Sequence, residues 1–187
     1  MKSYQITDYI HNILQQHVKC GDICIDATMG NGHDTLKLCR LTGNQGKVYA
    51  FDIQTAALNQ TKVLLEKEKV IHIARLILDS HTHMDQYLAK ESVSCIVFNF
   101  GYLPSGDHSL CTKAASSVEA ITKGLLLLQK GGIMTLCIYS GKDSGFEERD
   151  ALLDFLKTLE PRKYLVILSS YYNRPNHPPI PVLIVKH

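Results

Sequence analysis

One segment limits the possible folds of this chain more than any other: Ile23-Cys24-Ile25-Asp26-Ala27-Thr28-Met29-Gly30-Asn31-Gly32-His33-Asp34. A short apolar run leads into two glycines one residue apart, and a helix-like stretch begins near Asp34. A second apolar run, Val48-Tyr49-Ala50-Phe51, ends on Asp52, 20 positions after Gly32. Strand, glycine turn, helix, strand and acid, in that order, describe the grip of a doubly wound α/β domain on a nucleoside. The glycines let backbone amides approach the ligand, and the acid closing the second strand accepts the ribose hydroxyls.

Two cofactor classes use such a frame. Dinucleotide sites carry G-x-G-x-x-G, but here Thr35 stands where the third glycine would be. S-adenosyl-L-methionine sites instead carry an acid, then spaced glycines. Asp26, Gly30 and Gly32 fit that register, with Thr28 in place of the first glycine. A sulfonium and an α-amino group favour a nearby carboxylate, whereas a pyrophosphate is repelled by one. The expected cofactor loop is therefore Asp26, Thr28, Gly30, Asn31, Gly32, His33 and Asp34, with Asp52 on the ribose. Asp34 has a second reading, as the N-cap of the helix.

The 187 residues suffice for one domain with one substantial core, here residues 1–187. The net charge of +2 gives no general pull toward nucleic acid, so such a substrate requires a local basic patch. Six cysteines are scattered, none as C-x-x-C, and the histidines complete no zinc spacing, so no metal is expected. No apolar stretch reaches the roughly 18 residues of a membrane span. The first residues lack a signal-peptide apolar region. A reduced, cytoplasmic protein without membrane contact is the expectation.

Strand and helix patterns alternate along the chain. Ile6, Ile10, Ile13, Leu14 and His17 lie at helical spacing. Strands are expected at 22–27, 47–52, 71–78, 93–98, 133–139, 163–171 and 182–186. Helices are expected at 33–41, around Leu58, Thr61 and Leu65, at 82–88, along Ala114, Val118, Ile121, Leu125 and Leu128, and at 145–159. Gly131-Gly132 is expected to end the fourth of these. No helix separates the last two strands, so they should pair antiparallel. A mostly parallel seven-stranded sheet with an antiparallel last strand and helices on both faces is the α/β architecture of a class I, Rossmann-like methyltransferase.

Ligands in such sheets bind beyond the carboxyl ends of the strands. Asp79 ends the third strand, where it would bond an adenine amino group or cap the next helix; His81 follows it. Gln54 stands near the expected adenosine. Asn99-Phe100-Gly101-Tyr102 ends the fourth strand. Methyltransferases acting on nitrogen often place Asn or Asp, two residues and an aromatic there. An amine nucleophile needs acceptors for its N–H groups, supplied by Asn99 and adjacent carbonyls, and Tyr102 would stack on a planar ring. Asn99 and Tyr102 are therefore the catalytic candidates, and Phe100 and Gly101 line the substrate. Lys142, Arg174 and Asn176 are candidate substrate contacts. Lys113, Lys157, Arg162 and Lys163 would extend a basic patch.

Taken together, D-A-T-M-G-N-G-H-D-T-L (26–36), A-F-D-I-Q (50–54), D-S-H (79–81), F-N-F-G-Y-L-P-S-G-D (98–107), Y-S-G-K-D-S-G (139–145) and N-R-P-N-H-P-P (173–179) resemble the MnmM (YtqB) family of small bacterial methyltransferases. The resemblance implies methylation of 5-aminomethyl-2-thiouridine at the tRNA wobble position, with S-adenosyl-L-methionine as cofactor and the tRNA anticodon stem-loop as partner. A homodimer is a further expectation. An rRNA or small-amine methyltransferase, or a nucleotide-binding oxidoreductase, is the alternative reading of the same residues.

Overall fold

The computed structural model describes residues 5–100, 114–140 and 145–187. The apolar runs become β1 (Ile23–Asp26), β2 (Lys47–Asp52), β3 (Ala74–Leu78), β4 (Val93–Phe100), β5 (Leu128–Ile138), β6 (Tyr164–Leu168) and β7 (Ile180–Lys186). They form one sheet of order β3-β2-β1-β4-β5-β7-β6. Pairings among β1 to β5 are parallel. β7 runs antiparallel to both β5 and β6, as the absence of an intervening helix requires. β1 lies between β2 and β4, so the strand order reverses there. That reversal opens a crevice beyond the carboxyl ends of β1 and β4.

Among the described residues, five α-helices, α1 (Ile6–His17), α2 (His33–Thr42), α3 (Thr55–Lys67), α4 (Ala114–Leu127) and α5 (Gly145–Lys157), cover the sheet. Alternation along each strand divides its side chains between two cores. On one face Cys24, Val48, Cys95, Val97 and Ile133 pack against Ile10 and Leu14 of α1 and Leu38 and Cys39 of α2. On the other, Ile25, Phe51, Ile96, Phe98 and Phe100 pack against Ile121 and Leu125 of α4 and Leu152 and Leu156 of α5. Of the described cysteines, Cys20 is exposed and Cys24, Cys39, Cys95 and Cys137 are buried free thiols; Cys111 lies outside the described residues. Burial pushes the Cys39 thiol up to about 12, which keeps it protonated and unreactive.

Several boundaries differ from the sequence pattern. The stretch 71–73 is a 3-10 turn, so β3 begins only at Ala74. The helix expected at 82–88 is a 3-10 helix, His81–Gln86, with Ser80 accepting the Thr82 amide as its cap. Gly131-Gly132 does not end α4. The helix stops at Leu127 and β5 starts at once, pairing Leu128 with Val93 and then Ile133 with Cys95. The extra residues loop out between these pairs. Gly131 takes φ +78°, and a Cβ on Gly132 would meet the Gln129 carbonyl at 2.9 Å. These glycines serve a bulge rather than a helix terminus. β6 stops at Leu168 and exposes Leu165, Ile167 and Leu168, because it is the sheet edge.

Candidate active site

The crevice is built from the loop after β1. Its backbone is tied to both neighbouring strands: Ala27 N donates to Val97 O and Met29 N to Phe51 O, each at 2.9 Å. Gly30 and Gly32 adopt φ +48° and +81°. The Gly30 amide, freed from the strand ladder, donates to Asp52 Oδ2 at 3.0 Å. Asp52 Oδ1 accepts the Gln54 amide at 2.9 Å, and Gln54 precedes the first turn of α3. Each carboxylate oxygen retains a second lone pair, so Asp52 can still receive ribose hydroxyls. Thr61 of α3 closes the loop from below, donating to the Gly30 carbonyl at 3.0 Å. Asn31 is half-buried at this rim, and His33, the first residue of α2, is exposed.

Asp26 departs from its expected place beside a sulfonium. Its exposure is 0%, so it faces no open surface. Oδ2 accepts the Thr35 hydroxyl at 2.6 Å and Oδ1 the Thr28 amide at 3.2 Å. Strand alternation turns it inward, and the loop folds over it. Burial, with the nearby Asp34 adding to it, pushes its carboxyl up to about 7. It therefore shapes the loop from within. Thr28 likewise works inside the protein: its hydroxyl accepts the Asn99 amide at 2.7 Å.

The Asn99 side chain is half-buried at the carboxyl end of β4. Its Nδ2 donates to Asp34 Oδ2 at 2.7 Å, and Asp34 Oδ1 accepts from His11 Nε2 at 2.6 Å. Asp34 is thus neither a helix cap nor a surface acid; it joins α1, α2 and β4. No sequence pattern singles out His11. The only signal for it is a histidine on α1, one residue beyond the buried Ile10.

Phe100 is not a substrate contact. Its exposure is 0%, and its ring stacks on Phe98 with centroids 5.0 Å apart. Residues two apart on a strand share a face, and this face is core. His81 sits edge-on to both rings and bonds the Ala27 carbonyl; burial lowers its pKa. That makes it a neutral wall residue. Both oxygens of Asp79 already have partners: Oδ1 accepts the Ser80 amide at 2.7 Å and His83 Nδ1 at 2.8 Å, and Oδ2 accepts the Tyr87 hydroxyl at 2.9 Å. The His83 bond holds the Asp79 carboxyl below the usual carboxylate range. Ser80, not Asp79, caps the turn, and Asp79 Oδ2, with one donor, keeps a lone pair. Sequence reasoning also missed Ile53 and Leu78, 56% and 51% exposed, beside Asp52 in the sheet register. Two bare aliphatic side chains next to a ribose-type acid offer a wall for a flat ring. Gly101, Tyr102, Lys142 and Lys113 lie outside the described residues.

A pocket of about 380 Å3 flanks the crevice on the β5–β7 side, lined in part by Ser140, Arg149, Tyr172, Arg174, Asn176 and His177. Asn176 and His177 take φ +65° and +48°, and the ring of His177 meets Phe146 edge-on at 5.2 Å. The Arg149 guanidinium also lies over the Phe146 ring, 4.8 Å from its centroid. Arg162 and Lys163 do not join Arg174. They precede β6, which runs parallel to β4, so they stand at the opposite edge of the sheet. Lys157, at the end of α5, pairs with Asp154.

The family model described as "Putative rRNA methylase" matches residues 48–185. A chloroplastic tRNA (mnm(5)s(2)U34)-methyltransferase of Arabidopsis thaliana is 32% identical over 181 residues, 92% of this chain and 66% of that protein. The chain thus spans just under two thirds of the plant relative. Among solved structures, a "putative rRNA-methylase" from Clostridium thermocellum is 41% identical, with a TM-score of 0.96 and 100% of both chains covered. A "putative methyltransferase" from Streptococcus mutans, solved in complex with SAH, is 38% identical, with a TM-score of 0.89 and the same coverage. An O-methyltransferase from Thermotoga maritima, 18% identical with a TM-score of 0.67, shares the fold alone.

Proposed function

Because the chain belongs to the rRNA methylase family, we propose that it methylates the aminomethyl group of 5-aminomethyl-2-thiouridine at the wobble position of tRNA, giving 5-methylaminomethyl-2-thiouridine. The observation that carries this reading is the Asn99 side chain at the crevice, at the end of the strand beside the nucleoside loop. Its carbonyl supplies an acceptor for an amine N–H. The plant relative's name supports the wobble uridine, and the SAH-bound Streptococcus mutans structure supports the cofactor.

The residues present fit S-adenosyl-L-methionine. Gly30 and Gly32 take the left-handed backbone that turns the loop, with Gly32 packed against Thr61; Asp52 has free lone pairs toward a ribose, and Ile53 and Leu78 offer an apolar wall. When bound, that cofactor supplies an electrophilic methyl carbon on a sulfonium. The substrate amine is cationic in water near neutral pH and gives up one proton before attack. A dry crevice favours the neutral amine, and Asn99 holds it with its lone pair outward. Tyr102 would flank the thiouracil, and segment 101–111 and turn 173–179 would receive the anticodon stem-loop. There Arg174 and Asn176 contact the RNA, whose single-stranded bases can splay onto protein. Residues 1–187 act as one methyltransferase domain, and the exposed apolar edge of β6 is the surface for a homodimer.

The test is in vitro methylation of tRNA from a strain lacking this protein, followed by nucleoside mass spectrometry. The expected outcome is conversion of 5-aminomethyl-2-thiouridine to its N-methyl form. Methylation of rRNA alone, or binding of NAD(P)H in place of SAH, would replace this reading.

A further inference from the structure

Resting on the amine-orienting reading of Asn99, we infer that His11 and Asp34 are positioning residues that fix which end of the Asn99 amide faces the substrate. Hydrogen-bond polarity sets the arrangement. A carboxylate only accepts. Asp34 lies between two side chains, at 2.6 Å from His11 Nε2 and 2.7 Å from Asn99. Both neighbours must therefore present N–H groups to it. His11 carries its proton on Nε2, and Asn99 turns its Nδ2 inward. The Asn99 carbonyl oxygen is then left for the crevice.

A free asparagine has no such preference, because its two ends have the same shape. Turned the wrong way, it would present N–H donors to an amine that itself needs acceptors. Asp34 removes that degeneracy, and His11 holds Asp34. The backbone amide of Asn99 is pinned separately by Thr28, so the side-chain amide is the remaining freedom at this position. Selection of a nucleophile that carries a hydrogen-bond donor, over a bare ring carbon, thus begins on α1, outside the crevice. The three residues lie far apart in sequence: His11 and Asp34 are separated by 23 positions, Asp34 and Asn99 by 65.

The polarity can be inverted and then restored. In Asp34→Asn, His11 still donates to the new carbonyl, which turns the new amide's N–H groups toward Asn99 and flips it. In Asn99→Asp alone, two carboxylates meet. In the double variant, the amide at 34 donates to the carboxylate at 99, whose other oxygen faces the crevice as an acceptor.

The experiment compares kcat and KM of these three variants on tRNA from the methylation-deficient strain, with SAH affinity by calorimetry. Each single variant should lose kcat roughly 10- to 100-fold with SAH affinity kept. The double variant should turn over faster than either single one. His11→Gln, whose amide can donate to Asp34, should retain more turnover than His11→Leu. Losses that multiply in the double variant, or wild-type kcat in Asp34→Asn, would overturn the inference. An inactive Asn99→Ala that still binds SAH, alongside multiplying losses, would remove His11 and Asp34 while leaving the amine-orienting reading intact. Wild-type turnover in Asn99→Ala would remove both.

Discussion

Gly32 is the position where the geometry of the nucleoside loop can be tested most directly. Its φ of +81° is one that an alanine adopts at a cost of about 1–2 kcal/mol. An alanine Cβ there would lie 2.8 Å from Thr61 Oγ1, 2.9 Å from Thr61 Cγ2 and 3.1 Å from Thr61 Cα. The nearest atoms belong to a β-branched side chain on α3, which has little freedom to turn away. Overpacking of this kind costs about 1–3 kcal/mol. Any shift of Thr61 also breaks its bond to the Gly30 carbonyl, worth about 0.5–1.5 kcal/mol. The last two effects overlap, because one displacement causes both, so Gly32→Ala should destabilise the protein by about 2–5 kcal/mol. Guanidinium unfolding gives that figure, and calorimetry with SAH should show weakened binding. Adding Thr61→Ala removes the two nearest atoms, so the double variant should be less destabilised than the sum of the singles by about 1–2 kcal/mol. Wild-type stability and SAH affinity in Gly32→Ala, or strict additivity with Thr61→Ala, would refute the packing argument.

Asp52→Ala should weaken SAH binding by about 1.5–3 kcal/mol, since it removes ribose acceptors and frees the Gly30 and Gln54 amides; unchanged calorimetric affinity would exclude this acid from the ribose site. Asp26, raised from 3.8 to about 7 in the folded protein, binds its proton more tightly folded than unfolded. Its contribution to stability is therefore full below about pH 4 and is lost as the pH rises toward 7, a fall of up to about 4 kcal/mol. Unfolding free energies across that window should show a downward slope that Asp26→Asn flattens. Arg174→Ala should weaken tRNA binding evenly across sequences and lower the salt dependence by about one unit of slope; an unchanged slope and affinity would remove turn 173–179 from the RNA surface.

Much of the frame is legible in the sequence because strands and helices impose different periods. β2 runs over 47–52 as expected, and the α1 stripe of Ile10 and Leu14 is buried as its spacing requires. Composition misled at Gly131-Gly132. A glycine pair after an apolar helical stripe reads as a C-terminus, yet it serves a bulge whose need arises only from the β4–β5 register. Phe100 misled in the opposite way. It follows Asn99, but the alternation that points Asn99 at the crevice sends Phe100 into the core with Phe98. Asp26 carries the expected residue type at the expected place, and only its burial shows that it serves the loop. His11 was illegible, since a lone histidine on an amphipathic helix carries no pattern. Its role exists only through a contact 23 positions away.

The net charge of +2 conceals an uneven distribution. Asp34, Asp52 and Asp79 cluster at the β1–β4 half of the carboxyl edge, while Arg149 and Arg174 stand at the β5–β7 half. The two halves favour opposite guests. The acidic half attracts a cation and repels a phosphodiester; the arginine half does the reverse. On the proposed function, an RNA meeting this edge would have its backbone drawn to the arginine side and a base left toward the acidic side.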